Sequence, residues 1–311
     1  MESISESQPT NSTNPAQHSI ILAGATGNLG QRIAHELRKQ GANVTVLIRR
    51  GSNDQAISAL RQQGVSVVEV DFSNATSLAQ ACQGGTCVVS ALSGLREVIV
   101  ESQTRLLKAA IDAAVPRFIP SDYCIDYRSL PKGKNRNLDL RRTFNERLDK
   151  APIGATSILN GMFTDLLTGQ APVILFKLNQ IMYWGNADQL MDFTTLQNTA
   201  EFTAAAALDT STPRYLRIAG QVASIRDVQE AAQKATGEKF SLLRLGGLGV
   251  LNTMIKAMRT VSPQPNEVFP PWQGMQYLRD MLGGAPKLDS LDNNRYPDIQ
   301  WTPIWAVLAN R

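Results

Sequence analysis

Short runs of β-branched and aliphatic residues alternate with segments of helical spacing through the first half of the chain, the rhythm of parallel strands joined by crossover helices. The runs at 19–23, 43–48, 66–70 and 87–91 read as the first four strands. A longer helical stretch at 98–114 leads through Pro116 to a fifth strand at 117–120, and a helix at 141–148 precedes a sixth at 155–159. Six parallel strands with intervening helices predict an α/β, doubly wound sheet. After Asn160 the rhythm breaks into Gly, Pro and aromatic punctuation, with a strand at 215–219 and a helix at 225–236. The expected organisation is a disordered tail at 1–17, too polar to repay the entropy of ordering, then a first domain at 18–165 and a smaller α+β lobe at 166–311. In that lobe Gly246, Gly247 and Gly249 precede helically spaced Leu251, Met254, Ile255 and Met258, which read as core packing or as a lid.

Composition narrows the chemistry. The formal net charge of +4 is spread along 311 residues without a basic block, so nucleic acid is not the expected partner. No apolar run approaches the roughly 18 residues of a membrane span, and the opening segment lacks the basic and apolar regions of a secretory signal. A cytoplasmic protein acting on a small-molecule substrate is expected. Cys82, Cys87 and Cys124 have no CxxC spacing and only His18 and His35 could join them, which argues against a metal site, a disulfide framework and a Ser-His-Asp hydrolase.

The string ILAGATGNLG places Gly24, Gly27 and Gly30 directly after an apolar strand and at the start of a helix. Gly24 permits the tight turn, Gly27 lets the backbone approach a pyrophosphate, and Gly30 lets the helix pack close to the sheet. Backbone N–H groups of Thr26, Asn28 and Leu29 then face an anion at a helix N-terminus carrying about half a positive charge. A site for NAD usually ends its second strand with Asp or Glu. Here that strand ends in Arg49 and Arg50, which could grip a 2′-phosphate with Ser52 and Asn53 as neutral helpers, so NADP(H) is the expected cofactor. The competing reading of the two arginines is a solvated loop. Asp71 and Phe72 close the third strand, where they could meet an adenine, or where the aspartate could simply form a turn. Ala91, Leu92 and Ser93 close the fourth at the topological switch point, facing the nicotinamide ribose.

GATGNLG, the arginines after the second strand, RFIPSDY at 117–123 and ILNGMF at 158–163 together resemble the NmrA-like and isoflavone-reductase-like family, atypical members of the short-chain dehydrogenase/reductase superfamily. The resemblance implies a Rossmann domain with a small C-terminal lobe and a cleft that holds NADP(H) and an organic substrate. It also places Asn160 and Phe163 beside the nicotinamide. Two departures stand out. The Tyr-x-x-x-Lys pair of the superfamily is missing, and the lysine that isoflavone-reductase-like members carry on the helix after RFFPSEF is replaced by Arg141, or in a shifted register by Arg142. Arginine stabilises an oxyanion but, with a pKa above about 12, does not shuttle a proton. Tyr123, in PSDYCIDY, could reach a substrate carbonyl or could pack against the second lobe; Lys132 and Lys134 lie in a polar stretch that reads as a loop. The leading expectation is an NADPH-dependent reductase of a small apolar, aromatic or quinone-like acceptor. The alternative is a non-catalytic NADP(H) redox sensor with a protein partner.

Overall fold

The structure is a computed structural model that describes residues 18–311, and the tail expected at 1–17 lies outside the described residues. Strands β1 (Ser19–Ala23), β2 (Asn43–Arg49), β3 (Ser66–Val70), β4 (Cys87–Ser90), β5 (Arg117–Ile119) and β6 (Gly154–Ala155) form one parallel sheet in the order β3-β2-β1-β4-β5-β6. Strand order reverses between β1 and β4, which opens a crevice at their carboxyl ends. Helices α1 (Asn28–Lys39), α2 (Asp54–Gln62), α3 (Ala75–Cys82), α4 (Gln103–Asp112) and α5 (Arg136–Leu148) cover the two faces. This is a Rossmann sheet. β1 shows why it is covered twice: Ile20 and Leu22 pack with Ile33 and Leu37 of α1, while Ile21 and Ala23 pack with Leu78 and Leu106 on the other side. Strands buried on both faces read as continuous apolar runs.

A π-helical turn, Glu97–Ser102, leads into α4. Wholly buried Gln103 joins it to the sheet, donating to the Ile99 carbonyl and accepting from the Ser121 N–H (2.9 Å) just beyond β5. The sixth strand differs from the expected single run at 155–159. The chain shifts at Thr156, so that β6 pairs with β5 while β7 (Ser157–Leu159) turns to another partner.

That partner comes from the second half, which contains β8 (Met162–Phe163), β9 (Ile174–Leu175), β10 (Gln180–Tyr183), β11 (Met191–Thr194), α6 (Leu196–Leu208), β12 (Tyr215–Arg217), β13 (Gln221–Ala223), α7 (Ile225–Thr236), β14 (Ser241–Arg244), α8 (Leu248–Val261), α9 (Pro271–Leu282) and α10 (Ile304–Ala309). β12 runs parallel to β7, and α6 lies along α1. Phe202 of α6 joins the core of Ile20 and Leu22 and meets the Tyr296 ring at 4.9 Å. Residues 196–217 therefore pack back on the first half of the chain, α6 against α1 and the core above β1, and β12 beside β7. The remainder forms two small three-stranded sheets, β14-β10-β9 and β13-β11-β8, around a core that includes Trp184, Phe193, Ile225, Leu251 and Leu282. In α8 Leu251 and Ile255 face this core, whereas Val250 and Met254 face outward.

Candidate active site

The glycine loop is built by close contacts. Gly24 has φ +87°, and a Cβ on it would lie 2.5 Å from the Ala91 carbonyl. A Cβ on Gly30 would lie 2.2 Å from the Gly24 oxygen, so α1 can start where it does only without one. Gly27 is different: it caps α1 in an extended conformation, nothing approaches its Cβ position closer than 3.4 Å, and it opens onto a crevice. That crevice, about 190 Å³, is lined by Gly24, Thr26 and Gly27 from the loop, by Arg49 and Ser52 past β2, and by Phe72 past β3. Ala91, Leu92 and Ser93 past β4 and Val98 and Ser102 from the π-helical turn close its far side. A backbone anion cradle, a guanidinium and an aromatic wall suit an adenine dinucleotide. A wider but shallow hollow over α3, lined in part by Thr76, Gln80, Gln83 and Asp112, holds no convergent charges.

Several expected residues turn their side chains elsewhere. Asn28 is exposed and accepts from Arg32 Nε, and Leu29 packs half-buried on the core beneath α1. The two arginines part company. Arg49 lines the crevice, whereas Arg50 points away, 93% exposed, and donates to Glu69 at 3.1 Å. Arg49 is the last residue of β2, whereas Arg50 lies in the turn that follows it, and the two side chains part there. The Ser52 hydroxyl donates to the Arg49 carbonyl (2.6 Å), and Asn53 is spent on capping α2. Asp71 accepts from the hydroxyl and N–H of Ser73 (2.7 and 2.8 Å), bonds that hold its carboxyl below the ordinary range and make it a turn residue.

Toward the other end, the Ser121 hydroxyl donates to the Leu92 carbonyl, tying the end of β5 to the segment after β4. Tyr123 does not line the crevice. It sits at φ +33° with its ring buried in the core layer of Cys87, Val89 and α6, and burial pushes its phenol well above the ordinary value, with the Thr203 hydroxyl close by. The packing partner is α6, from the second half of the chain. Asp122 is also buried; burial raises its carboxyl, and the Asn145 amide donates to both oxygens (3.0 and 3.2 Å).

Arg141 and Arg142 separate as Arg49 and Arg50 do. Arg142 Nη2 donates to the carbonyls of Tyr127 and Leu130 (2.6 and 2.8 Å) and braces that loop. Arg141 Nε donates to the Asp122 carbonyl (2.8 Å) and Nη1 to that of Asn137 (3.2 Å), leaving Nη2 without a hydrogen-bond partner among the described residues. Burial opposes its charge, but Tyr277, Cys124, Asp122 and Tyr127 offset this and hold its pKa above the ordinary guanidinium value. It is a fixed cation.

Asn160 is wholly buried. Its main chain is fully used, the N–H donating to Cys124 O (3.1 Å) and the carbonyl accepting from Thr194 Oγ1 (2.7 Å), yet neither atom of its amide has a partner among the described residues. A buried, unpaired amide is costly, and Asn160 is not among the residues that line the crevice. Gly161 beside it, at φ +67°, has no room for a Cβ, which would meet Asp192 O at 2.2 Å. Phe163 is half-buried in β8, opposite Thr194. All three cysteines are free and buried, and burial raises each thiol, Cys82 to about 11 and Cys87 to about 12. Among the described residues no cluster of His, Cys, Asp and Glu could hold a metal ion, and no helix is long and apolar enough to cross a membrane. Val98 and Ser102 were invisible as site residues in the sequence. They carry one faint signal, an i, i+4 pair on a helix that begins just past the switch point.

The fold defines an α/β protein of Rossmann architecture with a crevice at the switch point of its sheet, and comparison with known proteins refines the class. The NmrA-like family model matches residues 16–268, and the chain belongs to that family. It is 24% identical over 244 residues to a bifunctional pinoresinol-lariciresinol reductase of Linum perenne, covering 73% of this chain and 78% of that protein. It is 25% identical over 240 residues to oxidoreductase BOA1 of Botryotinia fuckeliana, covering 72% and 78%. Among solved structures, the complex of AtPrR2 with NADP+ and (+)-pinoresinol superposes with a TM-score of 0.80 at 20% identity, over 94% of this chain and 98% of that one. An NADPH-dependent quinone oxidoreductase from Escherichia coli, complexed with NADPH, superposes with a TM-score of 0.73 at 17% identity, over 94% and 99%.

Proposed function

We propose that this protein is an NADPH-dependent reductase of a small apolar, aromatic or quinone-like acceptor. The observation that carries the reading is the crevice itself, which brings Gly24, Thr26 and Gly27 of the glycine loop together with Arg49, Phe72 and Ala91–Ser93. Relatives that bind NADP+ or NADPH on the same fold support it. Bound there, the cofactor supplies hydride chemistry. The N–H groups of the glycine loop hold the pyrophosphate, Arg49 pairs with the 2′-phosphate, Phe72 covers the adenine, and the Asn160 amide bonds the nicotinamide end. Arg141 presents its free Nη2 to the negative charge that develops on the acceptor oxygen.

Calorimetric titration with NADPH, NADP+ and NADH, followed by a hydride-acceptor screen on the same preparation, tests this. NADPH binding tighter than NADH with steady turnover of a quinone, enone or carbonyl is the expected result. The absence of any lysine beside Arg141 favours one other reading, a redox sensor that reports the NADP(H) state to a protein partner. Tight, redox-selective binding without turnover of any acceptor would select it.

A further inference from the structure

A buried polar rivet fixes α9 against the start of α5. Asn135, the cap of α5, donates its amide to Asp280 (2.9 Å) and accepts from the amide of Gln273 (2.8 Å). Gln276 Oε1 accepts from the Arg136 N–H (3.2 Å). At about 3.6 residues per turn, positions 273, 276, 277 and 280 share one helical face, so the rivet turns Tyr277 toward α5. There the phenol faces Arg141 and Arg136 of α5 and Cys124 from the segment after β5, with Asp280 on its own helix. No hydrogen bond joins the Tyr277 hydroxyl or Arg141 Nη2 to any other described residue, and both residues are only half-buried. Two polar groups with no partner among the described residues, the Tyr277 phenol and the Arg141 guanidinium, thus approach each other from different helices.

Resting on the reductase reading, we propose that Tyr277 donates the proton to the alkoxide formed when this protein reduces a carbonyl acceptor, with Arg141 stabilising the phenolate left behind. The carbonyl carbon gains a C–H bond from the nicotinamide hydride, its C=O π pair moves onto oxygen, the Tyr277 O–H bond breaks, and that oxygen takes the proton. Water returns a proton to the phenolate as product leaves. Arg141 takes no proton in this scheme, so the missing lysine is no obstacle: the cation serves the tyrosine electrostatically.

The acidity of the pair sorts acceptors. Burial pushes the phenol up to about 12 and the Arg141 charge works against the rise, so Tyr277 stays protonated at neutral pH and acts as an acid. A phenol of that strength gives its proton downhill to an alkoxide. A hydroquinone oxygen is about as acidic as free tyrosine, with a pKa of about 10, so its anion is a much weaker base than an alkoxide and reaches its protonation equilibrium with solvent and buffer without an enzymatic acid. Tyr277 therefore matters for ketones and aldehydes and far less for quinones.

The test is Tyr277→Phe, checked for wild-type melting and NADPH affinity, assayed on size-matched carbonyl and quinone acceptors. Carbonyl turnover falling about 100-fold further than quinone turnover is expected for loss of a general acid. Equal losses on both, no loss on carbonyls, or a wild-type protein that reduces quinones but no carbonyl overturns the assignment and leaves the reductase reading standing. Tight NADPH binding with no turnover of either class removes both. The pairing is read apart from turnover, from tyrosinate absorbance at high pH as the difference between wild type and Y277F. Arg141→Met should lower the fraction of Tyr277 ionised there, and an unchanged fraction overturns the role of Arg141.

Discussion

Gly24 and Ala91 stand so close that a β-carbon on the first would sit 2.5 Å from the carbonyl of the second. Gly24→Ala must both part the ends of β1 and β4 and hold a non-glycine residue at φ +87°. A destabilisation of about 1–3 kcal/mol is expected from the strain, together with at least a tenfold loss of NADPH affinity. Thermal unfolding and calorimetry read the two effects separately. An alanine variant that binds NADPH at wild-type strength would remove this loop from the cofactor site.

Arg49 and Arg50 provide an internal control. A charge-assisted hydrogen bond is worth about 1.5–3 kcal/mol, so Arg49→Ala should weaken NADPH binding by tenfold or more and leave NADH binding almost unchanged. Arg50→Ala, which removes only an exposed pair with Glu69, should change NADPH affinity by less than about twofold. Equal effects of the two variants would place the 2′-phosphate elsewhere.

Asn160 carries a stability cost without the cofactor. Its amide is buried with no partner among the described residues, and such a group costs about 1–3 kcal/mol. Asn160→Ala should leave the melting temperature of the apoprotein level or higher, while shrinking the upward shift that saturating NADPH produces. A variant that melts lower and responds to NADPH like wild type would make Asn160 a packing residue only.

Asp209 ties the C-terminal segment to the end of α6. Burial works to raise its carboxyl, but hydrogen bonds from Ser211, Arg295 and Tyr296 prevail and hold it well below the ordinary 3.8. A depressed carboxylate stabilises the fold above its unfolded pKa, and that contribution is lost as pH falls through the lower folded value. Asp209→Asn should therefore cost about 1 kcal/mol at neutral pH, discounted because the ion pair is partly solvated. The gap to wild type should narrow below pH 3.8 in acid unfolding curves. A gap that is constant across that range would assign the loss to packing instead of charge.

The first five strands and the glycine loop were legible because local periodicity alone encodes them: apolar runs such as 19–23 alternate with helical patterns such as that of α1. Long-range pairing was not encoded in that way. Nothing near Thr156 announces that β7 will leave β6 and accept β12, and nothing in the alanine-rich α6 says that it will cover α1. The same limit applied at the site. Which of Arg49 and Arg50 enters the crevice depends on where β2 gives way to its turn, and the burial of Tyr123 depends on α6. Tyr277 meets Arg141 only because the rivet at Asn135 brings α9 to α5.

The seam between β7 and β12 bears on how this chain comes to exist. A nascent polypeptide that has emerged only through β7 exposes the inner face of α1 and an unpaired strand edge, and both stay bare until α6 and β12 follow. The first half is therefore no detachable module, and a truncation ahead of residue 196 should yield a sticky, protease-sensitive fragment. The same double crossing joins the first half of the chain to the second by more than one connection.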